Sequence, residues 1–75
     1  MYETGKLVER IKAASKMRSI TLKVLYEAVG LNKHVSANLY SGSMLKADSL
    51  ARIADYQDVS VDYLLGRTDN PEVNR

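Results

Sequence analysis

Hydrophobic positions along this chain recur at helical spacing. Leu7, Val8, Ile11 and Ala14 fall at i, i+1, i+4 and i+7, which sets them on one face of a helix. Val24, Leu25, Ala28 and Val29 form a second stripe, and Leu50, Ile53 and Ala54 a third. No stretch alternates strictly enough, or holds enough β-branched residues between turns, to argue for a strand. Internal repeats and low-complexity segments are absent.

Punctuation residues divide the pattern into five helices, at about 5–17, 22–29, 33–40, 47–57 and 61–65. Thr21, Asn32 and Ser60 are placed as N-caps, where a side-chain oxygen accepts a free N–H of the first turn. Ile20 and Leu25 flank Thr21 as a hydrophobic staple, and Val59 and Leu64 repeat the arrangement around Ser60. Gly30, Gly42 and Gly66 each fall just past a helix, where a left-handed residue closes the last turn. The expected core is Leu7, Val8, Ile11, Leu25, Val29, Leu39, Leu50, Ile53, Val59, Leu64 and Leu65. One compact all-α domain, residues 1–66, is therefore expected, with 67–75 as a loose tail carrying turn residues at Asp69, Asn70 and Pro71.

The third helix is the unusual one. Only Val35 and Leu39 form an inward seam, while Lys33, His34, Ala37 and Asn38 point outward and Ser36 occupies an inward position that an apolar residue would fill. Two short helices separated by Gly30, Leu31 and Asn32 make a helix-turn-helix candidate. An α-helix fits the major groove of B-DNA, and short or polar outward side chains are what the base edges there require.

Charge supports a polyanion on one side. Residues 1–46 carry eight Lys or Arg against three Glu, or +5, while 47–75 carry three Arg against six Asp or Glu, or −3. That asymmetry matters more than the net +2. With 45% hydrophobic and 27% charged residues the chain is globular rather than disordered. Absence of cysteine excludes a disulfide framework, thiolate zinc and a Cys nucleophile. No run approaches a membrane span and the N-terminus lacks a signal-peptide core, so a cytoplasmic location is expected.

The segments TLKVLYEAVGLNKHVSANLYSG and LARIADYQDVSVDYLLGRTDNP resemble the Cro/repressor-type (XRE-type) helix-turn-helix domain of bacteria and their phages. The resemblance runs from about Leu7 to Pro71 and is most specific over Leu50 to Pro71. It implies a lambda-repressor-like five-helix bundle whose third helix reads the major groove, bound as a homodimer to a two-fold double-stranded DNA operator. By the same resemblance Lys33, His34, Ala37 and Asn38 are the base-reading positions. Thr21, Lys23, Asn32, Ser41, Ser43 and Lys46 would meet the DNA backbone. Three positions depart from the family's pattern: Leu22 where Gln is common, Ser36 where a large aliphatic is usual, and Gln57 where Phe or Leu is usual.

Other chemistries have little support. His34 is the sole histidine, a poor basis for a metal site. Ser36 lies two residues from it, and residues so spaced on a helix point apart, which argues against a nucleophile pair. There is no phosphate loop, carboxylate pair or cofactor fingerprint, and no small-molecule site is evident. Lys12, Lys16 and Arg18 either line a DNA flank or favour the negative end of the first helix. The expected function is a DNA-binding transcriptional regulator, most simply a repressor, with no enzymatic activity and no cofactor. The alternatives are an antitoxin-like or adaptor protein-interaction module that has lost its DNA contacts, and an RNA-binding module, for which no aromatic stacking surface or loop motif speaks.

Overall fold

The computed structural model describes residues 3–32 and 34–73. Among them are five α-helices and no strand: α1 (Thr4–Met17), α2 (Leu22–Ala28), α3 (Val35–Tyr40), α4 (Ala47–Gln57) and α5 (Val61–Leu64). Thr21 Oγ1 accepts the Val24 N–H at 3.2 Å and Ser60 Oγ accepts that of Tyr63 at 3.0 Å, so both expected caps are in place. Asn32 acts differently. Its Oδ1 takes the His34 N–H at 2.8 Å, and the regular helix starts only at Val35, two residues later than the spacing suggested. Lys33 lies outside the described residues.

All five helices end in one way. A left-handed residue closes the C-terminal end of each: Ser19, Gly30, Gly42, Asp58 and Gly66, with φ of 56°, 77°, 103°, 54° and 80°. Each donates to the carbonyl three residues back while its successor donates five back, as with Gly30 N to Glu27 O at 3.2 Å and Leu31 N to Tyr26 O at 2.8 Å. This double bond pattern satisfies carbonyls that a bare helix end would leave open. The sequence announced the three glycines. It did not announce Ser19 and Asp58, because serine and aspartate in this conformation leave no distinctive mark.

The core assembles most of the expected stripes, with Leu7, Val8, Ile11, Leu25, Leu39, Ile53 and Leu64 almost wholly buried, but Val24 and Ala28 of the second stripe are exposed. Leu65 is a correction: it is only half-buried, because the chain leaves α5 there and turns back at Gly66. Val35 is buried as the inward seam of the third helix required, and Tyr26 and Tyr63 join the core beyond the expected set. Gln57, expected as a misfit, is fully buried, and its Nε2 donates to Ile11 O at 2.9 Å and Ser15 Oγ at 2.8 Å. Arg18 completes the tie between α1 and α4 through the carbonyls of Gln57 (2.9 Å) and Asp58 (3.0 Å). Its charge thus serves the negative end of α4. Past α5 the chain runs back over α1. Arg10 reaches Asp69 at 2.7 Å and Thr68 O at 3.4 Å, with its guanidinium 4.6 Å from the Tyr63 ring centre, and Pro71 O accepts the Ser60 N–H at 3.0 Å. The Asp69 hydrogen bond raises the Arg10 pKa above the ordinary arginine value.

Candidate nucleic-acid interface

Helix α3 is anchored on one side and bare on the other. Val35 and Leu39 are buried one turn apart and fix its inner face. A polar tie joins it to α2, the Tyr26 hydroxyl lying 2.8 Å from Ser36 Oγ. Ser36 does face inward, half-buried, and its partner is the Tyr26 hydroxyl. At the far end Tyr40 donates to Glu9 Oε1 at 2.7 Å and accepts from Lys12 Nζ at 3.1 Å, which ties α3 to α1. That hydrogen bond raises the Lys12 pKa above the usual lysine range. Lys12 is thus engaged with Tyr40, while the sequence alone had left it between a DNA flank and a helix-end charge.

Neither tyrosine contact was legible in the sequence. The only available signal was a small hydroxyl residue at an inward position ten residues after a tyrosine, which becomes meaningful once α2 and α3 are placed together.

The bare face carries His34, Ala37, Asn38 and Ser41, all exposed. Their spacing of i, i+3, i+4 and i+7 aligns them along one side of the helix. Ser41 Oγ donates to Asn38 O at 2.9 Å, while the Asn38 carboxamide has no partner among the described residues. Such a group can offer a donor and an acceptor side by side.

Flanking positions gather around this face. Asn32, Asn38, Ser43 and Lys46 line one open depression of about 340 Å³, so four of the sequence-selected residues converge. Lys23 and Asn32 line a neighbouring cleft between α2 and α3. Thr21 is exposed at the start of α2, but its hydroxyl already accepts a main-chain hydrogen bond. Among the described residues no cluster of three His, Cys, Asp or Glu could hold a metal. None of the described helices is long and apolar enough to cross a membrane.

The family model for the Cro/C1-type helix-turn-helix DNA-binding domain matches residues 10–70. A Bacillus subtilis (strain 168) protein named "Uncharacterized HTH-type transcriptional regulator YobD" is 36% identical over 66 residues. The match takes in 85% of this chain and 58% of that protein, so the chain spans less than two thirds of its relative. No solved structure matches.

Proposed function

Because the chain belongs to the Cro/C1-type helix-turn-helix DNA-binding domain family, we propose that it binds double-stranded DNA sequence-specifically and acts as a transcriptional repressor. Helix α3 lies in the major groove with His34, Ala37 and Asn38 toward base edges, joined by Lys33. The observation that carries this reading is the exposed, uncommitted outer face of a helix otherwise held by Val35, Leu39, Ser36 and Tyr40. Asn pairs two-pronged with adenine, Ala packs on a thymine methyl, and His donates or accepts singly. Thr21, Lys23, Asn32, Ser41, Ser43 and Lys46 set register on phosphates without reading sequence.

Two copies bind a two-fold operator, meeting through the outer side of α5. Val61 and Leu65 are half-buried there beside exposed Asp62, and helices α2 and α3 are left free. The working location is the cytoplasm.

A gel-shift titration on a palindrome selected from random DNA, at two salt concentrations, tests the reading. Affinity should fall steeply with salt, in proportion to the phosphates neutralised. A chain that binds no DNA at low salt would defeat it and favour the protein-interaction alternative.

A further inference from the structure

Between α2 and α3 lies a cleft of about 560 Å³, and the DNA-binding reading uses only Lys23 and Asn32 of its lining. Leu22, Leu31 and the Tyr26 ring give it apolar walls, and the short Ser36 side chain leaves the space open. Tyr26 is buried and Ser36 half-buried, so their paired hydroxyls lie at its inner end. One of the two O–H groups is spent between them, and the other remains free to donate. At the mouth stand Lys23 and Glu27, both exposed and four residues apart, with no ion pair between them among the described residues.

We infer that this cleft binds a small, flat, uncharged molecule with an aromatic body and one hydroxyl or carbonyl head. Its volume falls in the range of ligand sites, and apolar walls with a few converging polar atoms are their usual composition. Opposite charges at the mouth favour no net ligand charge. A second protein copy needs roughly 20–30 residues a side, and the cleft offers seven. The head group takes the free hydroxyl at the inner end while the ring lies between Leu22 and Leu31.

Lys23 and Asn32, which the proposed DNA binding sets on phosphates, line the same cleft, so an occupant interferes with those contacts. This consequence, unlike the site itself, rests on the proposed DNA binding.

The test is a two-dimensional NMR titration of the whole chain with p-cresol and, separately, toluene. Saturable shifts should centre on the methyls of Leu22 and Leu31. In addition, p-cresol should bind tighter than toluene by about fivefold, the worth of one hydrogen bond. The double variant Tyr26→Phe, Ser36→Ala, which removes both hydroxyls, should narrow that difference, and Ser36→Leu, which fills the space, should abolish both shifts. Shifts that never saturate would overturn the site, as would equal binding of the two compounds by the wild-type chain. Saturating p-cresol should also weaken operator binding several-fold. Unchanged affinity with the cleft occupied would overturn the coupling. A chain that binds no DNA even without p-cresol would sink the functional reading and leave the site to the titration alone.

Discussion

Gln57 Nε2 donates to the main-chain oxygen of Ile11 at 2.9 Å, across 46 residues of sequence, and thereby joins the last turn of α4 to the middle of α1. The same carboxamide leaves its Oε1 buried with no partner among the described residues. One side chain therefore both holds two helices together and carries an uncompensated polar atom, and such an atom costs about 1–3 kcal/mol.

Replacing it tests that balance. Gln57→Leu loses two hydrogen bonds but removes the orphaned oxygen, so stability should stay within about 1 kcal/mol of wild type. Ser15, itself buried, then loses its partner. Adding Ser15→Ala to Gln57→Leu should therefore raise stability over the single variant by about 1 kcal/mol. Urea denaturation midpoints decide it, and a lower midpoint for the double variant would contradict the account.

The Tyr26–Ser36 tie is suited to a double-mutant cycle. Tyr26→Phe and Ser36→Ala should each destabilise by about 0.5–1.5 kcal/mol, and the pair by less than their sum, since either change alone breaks the same bond. Strict additivity in thermal or urea unfolding would mean that the two hydroxyls do not depend on each other.

Helix ends offer a cleaner contrast. Ser19 adopts φ 56° where three other helices use glycine. Ser19→Gly relieves that left-handed strain and should raise stability by about 0.5–1 kcal/mol. Gly66→Ala, at φ 80° with nothing within 4 Å of the added methyl, should lower it by about 1 kcal/mol through conformation alone. Calorimetric melting temperatures should therefore move in opposite directions.

These cases show what the sequence could and could not disclose. Helical stripes, the Thr21 and Ser60 caps and the three glycines are local signals, each complete within a few residues. The late start of α3 was not readable, because an asparagine oxygen suits an N-cap and a turn acceptor equally, and Asn32 takes the turn role. Gln57 and Ser36 were visible as polar residues at apolar positions, but their partners Ile11 and Tyr26 belong to other helices. The outward face of α3 was legible from spacing. The ties that hold that face in place, at Tyr26 and Tyr40, belong to tertiary structure.

The last prediction separates reading from gripping. Asn38 presents an uncommitted carboxamide on the bare face of α3, whereas Lys46 lies at the start of α4 on the edge of the same depression. If Asn38 pairs with a base, Asn38→Ala should cost about 1–3 kcal/mol on the selected operator and little on random DNA, relaxing preference at one position per half-site. If Lys46 meets a phosphate, Lys46→Ala should weaken both DNAs alike and reduce the salt slope by about one unit per contact removed. Isotherms for both variants on both DNAs at two salt concentrations give four comparisons. Neither residue contributes to the buried core, so folding should be unaffected and each loss can be assigned to the interface. Operator preference that survives Asn38→Ala would remove this face from the role of reader. A salt slope left unchanged by Lys46→Ala would place the phosphate path elsewhere on the domain.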